Sequence, residues 1–188
     1  MIEQFSKIFD GLQAAYGTYK INGRDTKGKA TGKATVVKES RTTETWEAHL
    51  SGQQSIGIIP INEDNECKWG CIDIDEYNFD HQKLLKQLQN AKLPLVVCRS
   101  KSGGAHVFLF TAEFIPAKDM QETLKRLAVS LGYGSCEIFP KQIVLHLERG
   151  DVGNFLNTPY FDHENGLRYA FKADGTAATI EEFFELHE

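Results

Sequence analysis

Apolar residues recur along this chain in two periods. Ile2, Phe5, Ile8, Phe9 and Leu12 stand at helical spacing and predict a helix over residues 1–16. A Gly/Thr-rich stretch follows, and its end, T-G-K-A-T-V-V-K, is β-branched enough to suggest a hairpin. Residues 44–50 fit a helix turn or a strand equally well. S-I-G-I-I-P-I (55–61) reads as a strand that stops at the polar turn N-E-D-N-E. K-W-G-C-I-D-I-D is a strand that carries acids. Residues 80–91 predict a helix with Asp80 as N-cap and Leu84, Leu85 and Leu88 on one face. The buried strand 95–98, the polar loop R-S-K-S-G-G-A and the strand 106–110 come next. A second amphipathic helix spans 117–131, with Gly132 and Gly134 as stops. C-E-I-F-P and I-V-L-H-L read as strands, and T-I-E-E-F-F-E-L as a last helix.

From residue 68 this order is β-α-β-β-α-β-β, whose first six elements match the split βαβ pattern of ferredoxin-like folds. The fold class is therefore α/β (α+β). An RNA-recognition-like core over 63–188 follows a small N-terminal α/β lobe over 1–62, in one domain of 188 residues. Such a sheet packs its helices on one face and leaves the other open.

Composition excludes several classes. Apolar residues make up 41% and charged residues 25%, which rules out collagen, coiled coil and wholesale disorder. No apolar run approaches the ~18 residues of a membrane helix. The start M-I-E-Q-F-S-K-I-F-D is acidic and broken by polar residues, not a secretory signal, so a cytoplasmic protein is expected. Cys67 and Cys71 are spaced C-x3-C with no histidine pair at finger spacing, so reduced, partly buried thiols are the simpler reading than zinc. The net charge of −5 argues against a generic basic nucleic-acid coat. Its distribution says more, because Thr18 to Arg41 holds seven cations against two acids. Lys27, Lys29 and Lys33 in that stretch are candidates for nucleic-acid phosphates; a solvated loop is the alternative.

Four motifs carry chemistry. In C-I-D-I-D-E, strand alternation turns Asp73 and Asp75 to one face and Ile72 and Ile74 to the other, with the acids about 7 Å apart. Two carboxylates so placed repel unless a cation lies between them, and hard ions such as Mg2+ or Mn2+ suit their oxygens. In C-R-S-K-S-G-G-A-H-V, glycines permit close backbone approach while Arg99, Lys101, Ser102 and His106 offer cations and hydroxyls to a phosphate. It is not a Walker loop. In C-E-I-F-P-K-Q, Glu137 sits on another strand as a third acid, followed by Lys141. In G-N-F-L-N-T-P-Y-F, Asn154 and Asn157 lie in a turn bounded by Gly and Pro.

Taken in order, these blocks resemble the archaeo-eukaryotic primase superfamily, most closely the primase-polymerase domains of phages, plasmids and prokaryotic conflict systems. H-L-S-G-Q-Q-S-I-G-I-I-P-I upstream shares the likeness, which covers roughly residues 46–183. The resemblance implies a DNA primase or polymerase, a nucleotidyltransferase using two divalent metals, Mg2+ or Mn2+, held by Asp73, Asp75 and Glu137. It makes His106 catalytic and, with Ser102 and Arg99, a binder of the nucleotide's phosphates; Lys141 and Asn154 carry over to the nucleotide pocket. It implies NTP or dNTP as substrate, single-stranded DNA as template and primer, a replicative helicase as partner, and a phage, plasmid or prokaryotic origin. The third acid departs from the aspartate common in relatives, and the zinc module of some members has no counterpart. A metal-dependent nuclease would use the same acids. A non-catalytic single-strand-binding module would need exposed strand aromatics, for which Phe108 and Phe139 are the candidates.

Overall fold

The computed structural model describes residues 1–28 and 30–188. Helix α1 (Ile2–Ile8) is shorter than its apolar spacing predicts. Phe9 and Leu12 are buried as expected, yet beyond the helix. The Leu12 N–H donates to the Ile59 carbonyl (2.9 Å) and the Trp69 indole N–H to the Asp10 carbonyl (2.8 Å), so tertiary bonds replace the next helical turn. Strands β1 (Tyr16–Arg24) and β2 (Ala30–Val37) form the basic hairpin, antiparallel with a bulge between Ile21 and Gly23. Residues 44–50 belong to helix α2 (Thr43–Leu50), which Thr42 and Thr45 close with a capping box. Strand β3 (Ile56–Ile58) pairs with β1.

Strand β4 (Glu66–Ile74) carries the acids. Helix α3 (His81–Asn90) starts at Asp80, whose side chain accepts the Lys83 N–H. Strands β5 (Val96–Arg99) and β6 (Ala105–Pro116) flank the glycine loop, and β6 runs on past the predicted 106–110. Helix α4 (Ala117–Leu131) matches its apolar stripe, and β7 (Glu137–Phe139) follows. The strand expected over 143–147 does not form. Ile143 and Val144 are exposed, so the apolar run has no face to bury, and the chain instead makes a short 3-10 turn at Leu147–Arg149. Strand β8 (Leu156–Asn157) and helix α5 (Ile180–His187) complete the chain. No helix among the described residues is long and apolar enough to cross a membrane.

The core sheet has the order β5-β6-β4-β7, all antiparallel, which is the split βαβ arrangement. Ile72 and Ile74 point into one core with Leu84 and Leu88 of α3 and Met120 and Leu124 of α4. The opposite face is not open, as the sequence pattern suggested. Trp69, Cys71, Cys98, Phe108 and Phe139 on that face bury against Phe9, Ile56, Ile58, Leu156 and Phe183. The second sheet, β2-β1-β3-β8, lies with this core; its fourth strand is drawn from residues 156–157, far from the first 62. Cys67 and Cys71 fall in the two separate cores, so the C-x3-C pair shares no site. One end of the sheet stays uncovered, where β4 carries Asp73.

Candidate active site

The register of the core sheet builds the site. One row across it reads Val96, Phe108, Cys71 and Phe139, and this row packs against residues of α1, β3, β8 and α5. Two residues further along, about 7 Å on, the next row of the same face reads Cys98, His106, Asp73 and Glu137. Asp73 thus has His106 as its strand neighbour on one side and Glu137 on the other. Asp75 follows just past the end of β4.

The side chains in that row are held differently. His106 is 7% exposed, and its Nε2 lies 3.3 Å from Asp73 Oδ1. Asp75 is exposed and accepts a long hydrogen bond from the Ser102 hydroxyl, 3.4 Å. Glu137 is also exposed, and its carboxylate takes the Lys141 ammonium at 2.9 Å. Burial first, and then the charges of Glu76 and Asp73, push the Cys136 thiol pKa up from its ordinary value, which disfavours the thiolate.

The glycine loop is clamped onto the end of β4. The Ser100 N–H donates to the Gly104 carbonyl (3.1 Å) and the Gly103 N–H to the Ser100 carbonyl (3.0 Å). His81 Nε2 of α3 lies 2.8 Å from the same Gly104 oxygen. A side chain at 104 would stand 2.1 Å from the Ile74 carbonyl oxygen, so only glycine lets the loop come this close to the acids.

Two adjoining clefts open on this row. The larger, of about 620 Å³, lies between Asp73, Asp75 and His106 on one side and Lys101, Ser102 and the hairpin residues Tyr19 and Lys27 on the other. The smaller, of about 390 Å³, reaches from Asp73 and His106 to Glu137, Lys141, Asn154 and Phe155. Tyr19, Asp73, His106 and Asn157 line both. Both volumes fall in the ~300–1,000 Å³ range of small-molecule sites.

The sequence-derived residues therefore divide. Asp73, Asp75, His106, Ser102 and Lys27 meet at the larger cleft, and Glu137, Lys141 and Asn154 at the smaller. Asn154 is tied to Gln142, which receives its backbone N–H at 3.0 Å. Arg99 lines neither; its guanidinium lies against Gly103. Lys33 pairs with Lys20 in the hairpin register next to the Tyr19–Ala34 pair, so alternation turns both lysines away from the face that lines the clefts. Lys29 lies outside the described residues. Sequence reasoning passed over Tyr19, Ile21 and Tyr77, which no motif marks. Lys101, offered to a phosphate by the glycine-loop motif but left out of the residues that the resemblance names, and Asn157, placed only in a turn, both line the larger cleft.

Asp73 and Asp75 offer carboxylate oxygens to one solvent-accessible cleft, a donor set that fits a hard divalent cation. Glu137 is engaged by Lys141, and among the described residues no three His, Cys, Asp or Glu side chains converge as a metal cluster. Phe108 and Phe139, candidates for base stacking on an open sheet, are 0% and 4% exposed and belong to the core.

No curated protein matches the chain. The family model described as "TOTE conflict system, Archaeo-Eukaryotic Primase domain" matches residues 4–186. It covers the acid-bearing strand, the glycine loop, the third acid and the hairpin alike, and the chain belongs to this archaeo-eukaryotic primase family.

Proposed function

We propose that the two clefts carry out template-directed nucleotidyl transfer, joining ribo- or deoxyribonucleoside triphosphates into a primer or DNA strand on single-stranded DNA. One observation carries the reading: Asp73 is flanked in register by His106 and Glu137 at the uncovered end of the sheet, facing a glycine loop that bears Lys101 and Ser102. In the reaction a 3′-hydroxyl oxygen bonds to the α-phosphorus, the bond to the departing pyrophosphate breaks, and the hydroxyl proton is lost to solvent or a nearby base.

Asp73 and Asp75, with Glu137 as the third carboxylate of the family pattern, would hold magnesium or manganese. Bound there, such ions neutralise the phosphates and lower the pKa of the attacking hydroxyl. The chain's own residues position the rest, which is most of what phosphoryl transfer asks of a protein. His106 steadies the Asp73 carboxylate and borders both clefts, where it would donate to a phosphate oxygen. Ser102 and Lys101 bring a hydroxyl and an ammonium to the opposite wall. Lys141 and Asn154 border the smaller cleft as further nucleotide contacts, and Lys27 reaches the larger from the hairpin. A replicative helicase is the partner such a priming domain would serve.

The test is extension of primed and unprimed single-stranded templates with NTPs or dNTPs in magnesium or manganese. Asp73→Ala and Asp75→Ala should each abolish synthesis and leave melting behaviour intact; wild-type turnover in either refutes the assignment. Cleavage without extension would instead favour a metal-dependent nuclease built on the same acids. The single-strand-binding alternative is weakened by the burial of Phe108 and Phe139.

A further inference from the structure

Lys101 stands in a cleft with two carboxylates, yet among the described residues it forms no ion pair. Its ammonium lies instead over the Tyr19 ring, 3.1 Å from the centroid. The loop bonds at Ser100, Gly103 and Gly104 fix the Lys101 backbone, but four rotatable carbons separate that backbone from the charge. The ring is what holds the charged end. It takes up one side of the ammonium and leaves the remaining N–H donors free to meet an anion. Tyr19 comes from β1, over 80 residues away in sequence, and lines both clefts.

We propose that Tyr19 is a positioning residue that aims Lys101 at the polyphosphate tail of the nucleotide. The idea rests on the nucleotide-binding reading of the cleft and goes beyond it by naming the cation and the ring that presents it. A free lysine side chain must give up rotamer freedom each time it meets a phosphate. One already seated on an aromatic face has lost that freedom in advance, and the cation–π contact persists when a phosphate arrives from the other side. The hydroxyl of Tyr19 plays no part in this; the ring face does.

The experiment is calorimetric binding of ATP and of AMP to the full chain in magnesium buffer, comparing wild type with Tyr19→Phe, Tyr19→Leu, Lys101→Met and the Tyr19→Leu/Lys101→Met double variant. Tyr19→Leu should weaken ATP about five- to thirty-fold, the worth of a well-formed cation–π contact. Lys101→Met should weaken it at least as much, and the double variant no more than Lys101→Met alone. Tyr19→Phe should stay within about twofold of wild type, since the ring is kept. AMP affinity should be the same throughout, and in extension assays Tyr19→Leu should raise the nucleotide KM with kcat retained. Additive losses in the double variant overturn the proposal, as does an equal loss of AMP and ATP in Tyr19→Leu, which would make the ring a base platform. A wild-type chain that binds no ATP overturns the nucleotide reading itself, a separate result from either.

Discussion

Gly104→Ala offers the sharpest mechanical test of the site. The added methyl would lie 2.1 Å from the Ile74 carbonyl oxygen, where a relaxed carbon–oxygen contact needs about 3.3 Å. Loop and strand must therefore part by roughly 1.2 Å. Neither has an easy direction to move, because the Gly104 carbonyl is held by the Ser100 N–H and lies against His81, and Ile74 is 1% exposed. Overpacking of this kind costs about 1–3 kcal/mol. In a chain of this size that is about 2–4 °C of melting temperature per kcal/mol. The functional loss should be larger in proportion. The loop carries Lys101 and Ser102 and leads directly into His106, and a shift of about 1 Å in a positioned group can cost about a hundredfold in rate. Gly103→Ala is the control. Its φ of +87° makes alanine strained by about 1–2 kcal/mol, but the new methyl meets only the flexible Arg99 guanidinium at 3.2 Å. The two variants should melt within a few degrees of each other while their kcat/KM values for extension differ by more than tenfold. If Gly104→Ala extends primers at the wild-type rate, the loop does not need its close seat on β4 and the reasoning fails.

Other expectations follow from single contacts. His106→Ala should raise the nucleotide KM more than it weakens template binding, and the reverse order in paired kinetic and binding assays would move His106 out of the nucleotide site. Burial, aided by the Arg168 charge, depresses the His49 pKa to about 4, whereas the unfolded chain takes up that proton near 6.5. The unfolded state therefore binds more protons between these values, and stability should fall by about 3 kcal/mol as pH drops from 6.5 to 4. Urea titrations across that window should show a shallower loss in His49→Gln than in wild type, and equal slopes would count against it. Lys27→Ala should reduce the salt slope of single-stranded DNA binding by about 0.7. Lys33→Ala should weaken DNA binding without changing the nucleotide KM, because Lys33 faces away from the clefts; a raised KM would place it inside them.

Much of the core was legible because local rules decide it. The leucines at 84, 85 and 88, the stripe of α4 and the alternation of Ile72, Asp73, Ile74 and Asp75 each satisfy one buried face, and no distant residue is needed to interpret them. Where burial depends on a distant partner, the same reasoning failed. Phe9 and Leu12 kept helical spacing but left the helix, because Ile59 and Trp69 supplied the bonds that the next turn would have made. Residues 143–147 were apolar enough to suggest a strand, yet Ile143 and Val144 stay exposed and pair with no strand among the described residues. Phe108 and Phe139 could serve a base-stacking face only if that face were open, and distant residues such as Phe9, Ile58 and Phe183 cover it.

The candidate site divides along the same line. Residue order determined which groups share a strand face and which loop carries cations, because alternation along β4 and the glycines at 103 and 104 are properties of adjacent residues. Tertiary structure alone decided that Glu137 is engaged by Lys141 and that Arg99 lies away from the clefts. It also turned Lys33 outward and brought Tyr19 from the hairpin onto Lys101. Backbone alternation is a rule of nearest neighbours and can be read from the sequence, whereas the reach of a long charged side chain depends on whatever packing sets within a few ångströms of its tip.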